Sequence, residues 1–186
     1  MEIALVKRGG HGADDRAYLT VDGQTRRGPI HVLHDLPHLV VESLFEIDDG
    51  LWAELAAGRH GAAGRATTAR DPKRRKMGRI VSGAATGART DEWLSTGHRA
   101  AKVITNAVVN RGGDGPDTPS GVRTRAAVHR SPDVEAVLSR VSDHTIATAI
   151  EGVRNLEQRW LATPAGETLR LSWPLPESAL GQQADF

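Results

Sequence analysis

The sequence predicts an α+β fold: a small antiparallel sheet, built from both ends of the chain, packed against about four helices. Three observations point to it. Residues 2–7 and 16–21 alternate in apolar character, residues 167–173 do the same near the other end, and the stretch between is dominated by apolar residues at helical spacing. Alternation lays one face of a strand on a core, and recurrence every three or four residues does so for a helix.

Glu2 to Lys7 and Arg16 to Val21 read as the first two strands, with a loop around Gly9-Gly10-His11-Gly12 between them. Asp22-Gly23 is a tight-turn signal, and Gly28 to Val32 reads as a third strand. A first helix is expected from about Asp35 to Ile47. Proline fits the first turn of a helix and disfavours helical geometry just before it. Asp35 is therefore the expected N-cap, with Leu36 and Pro37 opening the helix. Asp48-Asp49-Gly50 breaks it, and Leu51 to Ala57 forms a short second helix anchored by Trp52 and Leu55.

Residues 59–89 then change character. Nine basic residues against the lone Asp71 give this segment a charge of +8, so the remaining chain carries −7 of the net +1. It reads as a basic loop, rich in Gly and Ala, inserted between helices. Thr90 is the expected N-cap of a third helix, with Asp91 and Glu92 in its first turn and Gly112-Gly113 as its stop. Residues 112–130, rich in Gly, Asp, Pro, Ser and Thr, read as a long loop. Ser131-Pro132 opens a further helix running to about Ala162. Thirty helical residues would span about 45 Å, so a bend near Ser142-Asp143-His144 or Gly152 is expected. Leu169, Leu171 and Trp173 share one face of a last strand that returns to the N-terminal sheet. Residues 1–173 are read as a single domain, and 174–186 as a weakly ordered tail.

The chain has 186 residues, enough for one sizeable core. It has no cysteine, which excludes disulfides and thiolate ligands, so any metal must use His, Asp, Glu or backbone oxygen. No stretch approaches the roughly 20 apolar residues of a membrane span. The first residues carry an acid where a signal peptide carries base, so a cytoplasmic protein is the expectation. No phosphate loop, Gly-x-Ser-x-Gly elbow or dinucleotide fingerprint is present.

The potential chemistry is concentrated between His34 and Glu42. His34, Asp35, His38 and Glu42 can each ligate a metal or move a proton, and all fall within nine residues. Residues four apart share a helix face, so His38 and Glu42 lie on one stripe, and His34 joins them if the helix begins early enough. A histidine pair at this spacing is how zinc helices present two ligands. Leu36, Val40, Leu44 and Ile47 form a different, apolar stripe, placing the histidines at its margin.

The expected metal ligands are His34, His38 and Glu42, with His144 as a distant fourth. Glu42 and Asp35 are the expected catalytic carboxylates, acting as a base or holding a histidine tautomer. Zinc suits such a set, while iron and manganese stay open. Arg74 and Arg75 of the basic loop, with Trp52 as a wall, are the expected contacts for a small anionic substrate. His98 lies at the edge of the third helix's apolar stripe. Two other readings remain open. One is an acid/base enzyme without metal. The other is a non-enzymatic module using residues 59–89 to hold an anionic partner or nucleic acid, although no aromatic residue is there to stack a base. The His/Glu stripe is also one that a homodimer would share.

The stretch His34-Asp35-Leu36-Pro37-His38-Leu39-Val40-Val41-Glu42, followed by Phe45, Gly50, Trp52 and Ala56-Ala57-Gly58, resembles a group of uncharacterised bacterial proteins frequent in actinobacteria. The resemblance covers roughly residues 30–60 and implies no established activity. More faintly, His34-Asp35-x-x-His38 looks like the zinc motif of the coenzyme Q biosynthesis family. That family's glutamate falls further downstream, where this chain has Gly50.

Overall fold

The structure is a computed structural model and describes residues 1–8, 16–57, 95–110, 117–176 and 180; for residues 16 and 24–30 it describes the backbone alone. Strands β1 (Glu2–Lys7), β2 (Arg16–Val21), β3 (Gln24–His31) and β4 (Thr168–Ser172) form one antiparallel sheet in the order β3-β2-β1-β4. Both chain ends thus meet in one sheet, as the alternation predicts.

The register shows what fixes the sheet. Leu5 pairs with Leu19 on one side and Leu169 on the other, and Ile3 with Val21 and Leu171. All six are buried. These two rows form the face turned to the helices, and a slip of one residue would turn every one of them outward. Asp22 and Gly23 take φ values of 46° and 74°, the left-handed pair that a two-residue hairpin turn requires. That turn starts β3 at Gln24, four residues before the expected Gly28. Pro29 is tolerated because β3 is an edge strand.

Helix α1 (Val32–Leu44) follows β3 without a loop. It begins three residues earlier than expected. His31, not Asp35, is the N-cap, and Pro37 sits inside the helix, where it forgoes one i→i−4 bond. Burial compensates, because Val32, Leu36, Leu39, Val40 and Val41 are all at most 1 % exposed. The helix runs through the core, packing on α2 (Leu51–Ala56), α3 (Thr96–Val109) and α6 (Asp143–Ala162). It ends where Glu46 turns left-handed at φ 52° and the Ile47 N–H returns to the Glu42 carbonyl.

The described part of the third helix is α3, capped by the Ser95 hydroxyl and ended by left-handed Asn110; the expected cap Thr90 and stop Gly112-Gly113 lie outside the described residues. One further expectation is corrected. The expected 112–130 loop contains helix α4 (Pro119–Ala127), whose N-cap Thr118 accepts the Gly121 N–H. The long helix breaks at the first of the two places where a bend is expected, into α5 (Pro132–Arg140) and α6, separated at Val141 and Ser142, with Ser142 capping α6. Arg123 from α4 bonds the Leu138 and Val141 carbonyls at 2.7 Å, satisfying the end of α5 at this break.

The described part of the tail is anchored. Leu175 and Leu180 are buried, the Ser43 hydroxyl receives the Leu175 N–H at 2.6 Å, and Asn155 donates to the Leu180 carbonyl at 2.7 Å. Among the described residues, no helix is long and apolar enough to cross a membrane.

Candidate functional site

The early start of α1 puts His34 inside the helix and on the stripe with His38, their ring centres 5.4 Å apart. Packing of α3 on α1 brings His98 to the other side of His38, at 6.5 Å. Three imidazoles therefore stand together. His38 is buried at 5 % exposure, His98 is half-buried, and the His34 side chain is 65 % exposed. They line, or stand beside, a cleft of about 240 Å³ between α1 and α3, walled by Leu33, His34, Pro37, His38, Thr105, Asn106 and Val109.

Each α1 histidine has a carboxylate at its Nδ1. For His34 it is Asp35 Oδ1, at 2.9 Å. For His38 it is Glu42 Oε1, at 3.9 Å, too far for a hydrogen bond, so His38 Nδ1 is buried without a partner. Burial pushes the His38 pKa down to about 3, and neighbouring His34, His98 and Lys102 push the same way. The ring is neutral at physiological pH.

Glu42 is 1 % exposed, and its place is the interior rather than the expected margin. The Leu51 N–H donates to Oε1 at 2.9 Å and the Trp52 N–H to Oε2 at 2.8 Å. The carboxylate thus caps α2 from another helix, a task that the true N-cap, Gly50, has no side chain to perform. Gly50 is needed for the fit, because a Cβ there would lie 2.3 Å from Glu42 Cδ and Oε2. Burial raises the Glu42 pKa to about 7, against the lowering effect of the Trp52, Leu51 and Ala53 N–H groups. Asp49 does for α3 what Glu42 does for α2. It accepts the Gly97 N–H at 3.0 Å, and a Cβ on Gly97 would fall 1.5 Å from its Oδ1.

Three expected assignments change. Each Glu42 oxygen accepts an α2 N–H, so Glu42 acts as a cap beside His38, its Oε1 3.9 Å from His38 Nδ1. Trp52, expected as a pocket wall, is 1 % exposed and donates its indole N–H to the Asp35 carbonyl at 3.1 Å; it is core. His144 is exposed near the start of α6 and does not join the histidine cluster. Of the stripe, His38 and Glu42 are buried and the His34 side chain is 65 % exposed. Arg74, Arg75 and the rest of the 59–89 segment lie outside the described residues.

Sequence reasoning undervalued His98 and missed Thr105. The signal for both was the face of α3 that carries His98, Lys102, Thr105, Asn106 and Val109, spaced by three or four residues or by one. Its partner face became visible only through packing.

Among the described residues, no three His, Asp or Glu side chains stand in ready-made metal-holding geometry. The separations show how far off it is. With Zn–N bonds of about 2.1 Å, two tetrahedral imidazole ligands have ring centres roughly 5 Å apart. The His34–His38 pair at 5.4 Å is close to that, and His98 is about an ångström wide of it. Comparison with protein-family models, with curated proteins and with solved structures finds no match for this chain.

Proposed function

We propose that this is a metal-dependent enzyme acting on a small anionic substrate, with His34, His38 and His98 as ligands in the α1–α3 cleft. The observation that carries the reading is His38: an interior imidazole, neutral, under-bonded, and flanked by two others. A neutral imidazole is the form that binds metal. A ring held at a pKa of about 3 is poorly matched to general acid/base work near pH 7, which favours the metal reading over acid/base chemistry without metal.

Asp35 is a positioning residue in this reading. Its bond to His34 Nδ1 leaves Nε2 for the ion, the arrangement in which a carboxylate orients a metal-bound histidine. Glu42 stands in the same relation to His38, one ångström short of contact. Zinc is the ion best suited to the set. Such an ion polarises a carbonyl or lowers the pKa of a bound water, which suits a hydrolase or lyase. The likeness of His34-Asp35-x-x-His38 to a zinc motif supports the same reading.

Elemental analysis of the full chain, purified without chelator, tests it. Stoichiometric zinc is expected, lost in His38→Ala and reduced in His34→Ala and His98→Ala. Metal-free protein under zinc-replete conditions would refute it.

A further inference from the structure

Opposite His34 and His38, the α3 wall of the cleft carries a second buried polar group without a partner. Thr105 is 3 % exposed, its Oγ1 makes no hydrogen bond, and it lines the cleft. A buried hydroxyl left unbonded costs about 1–3 kcal/mol, and a native chain retains such a group where something else is to bond it. Its own helix offers an alternative. Thr124 on α4 turns its hydroxyl back to the carbonyl four residues earlier, at 2.9 Å. Thr105, a residue of the cleft wall, makes no such bond.

Lys102 lies one turn before Thr105 and Asn106 and one turn after His98, on the same face of α3. It is exposed, so its ammonium is free to swing over the mouth of the cleft that Thr105 and Asn106 line. The carboxylates nearest the cleft are already engaged: Asp35 by His34, Glu42 by the α2 backbone, Asp49 by the α3 backbone. Among the described residues the cleft wall therefore holds the His34 and His38 imidazoles and the unbonded Thr105 hydroxyl and no carboxylate, with the Lys102 ammonium one turn from Thr105 on the same face of α3. Leu33, Pro37 and Val109 supply its apolar wall.

We propose that the α1–α3 cleft binds the oxyanion of a small carboxylate or phosphoryl compound, with Lys102 giving the counter-charge and Thr105 the hydrogen bond. At about 240 Å³ the cleft is smaller than the roughly 300–1,000 Å³ of drug-sized sites, so the ligand is a compact one with a short apolar body. This assigns substrate-binding residues within the described chain, on the helix that also supplies His98. It rests on the reading of this cleft as a metal site, and its test separates the two.

The test titrates the full chain, metal-free and zinc-loaded, with acetate and separately with methylphosphonate, following heat or amide shifts at low salt. Binding of at least one anion is expected, weakened about tenfold by Lys102→Met and by Thr105→Val, since a hydrogen bond to a charged group is worth about 1.5–3 kcal/mol. Zinc affinity should be unchanged in Thr105→Val and unchanged or higher in Lys102→Met, which removes a positive charge near the ion. Acetate alone binding marks a carboxylate substrate, and methylphosphonate alone a phosphoryl one. No binding of either anion, or equal binding by wild type and both variants, would overturn the proposal. Anion binding by a wild type that takes up no zinc would uphold this proposal and count against the metal reading alone.

Discussion

Two polar regions of the same helix pair differ in how their hydrogen bonds close. At the α2 end of α1, Glu42 and Asp49 are matched to backbone N–H groups, and Gly50 and Gly97 are bare where each carboxylate approaches. At the cleft, Thr105 Oγ1 has no partner, and the Nδ1 of the cleft residue His38 stands 3.9 Å from Glu42 Oε1 without a hydrogen bond. The first region is complete within the chain. The second is complete only with something added. That difference separates structural polar groups from candidate functional ones better than residue type does, since His38 and Glu42 are one turn apart on one helix.

The comparison can be broken most forcefully at the closed end. Gly50→Ala and Gly97→Ala put a methyl within 2.3 Å and 1.5 Å of a carboxylate oxygen. Each should destabilise by about 3 kcal/mol, as overpacking and lost caps combine, and urea unfolding would report it. Glu42→Gln, which turns an amide NH₂ toward a peptide N–H, should cost about 1–3 kcal/mol. Should these three variants prove neutral, the closed region is not holding α2 and α3 in place.

Acidity sharpens the contrast. The His38 pKa lies below its unfolded value, so the metal-free protein should lose stability as pH falls from about 6.5 to 3, by on the order of a few kcal/mol. The Glu42 pKa is raised, so its contribution is full below about 4.5 and declines as pH rises through about 7. Denaturant unfolding against pH should show the acid limb flattened in His38→Leu and the decline toward pH 7 flattened in Glu42→Gln. Smallest is the effect at the open end. Thr105→Val keeps the shape and removes an unbonded hydroxyl, and Lys102→Met alters an exposed side chain. The first should raise stability by about 1 kcal/mol, the low end of the cost of an unbonded hydroxyl, and the second should change it by less than about 0.5 kcal/mol.

The sheet was legible because alternation has a short period and its rows are local: Ile3, Leu5, Leu19, Val21, Leu169 and Leu171 can be read off directly. Asp22-Gly23 named its own turn. The α1 boundary was misread because Pro37 was given the first-turn position it prefers, whereas burial of Leu36, Leu39 and Val40 holds it in the helix interior. Helix α4 was missed among Gly, Pro and Thr, although Thr118-Pro119 is the same cap-and-proline pair that marked Ser131-Pro132. At the site, His34 and His38 followed from helical spacing. Glu42's work did not, because its partners are peptide groups nine and ten residues on. His98 and Thr105 needed the packing of α3 on α1, which no local pattern encodes.

The most direct measurement is thermal unfolding of wild type and His38→Leu, each with and without added zinc. If His38 is kept for an ion, the metal-free variant melts at or above the metal-free wild type, and zinc raises only the wild type. A His38→Leu protein that melts well below wild type, with zinc shifting both equally or neither, would make His38 a packing residue and contradict the account.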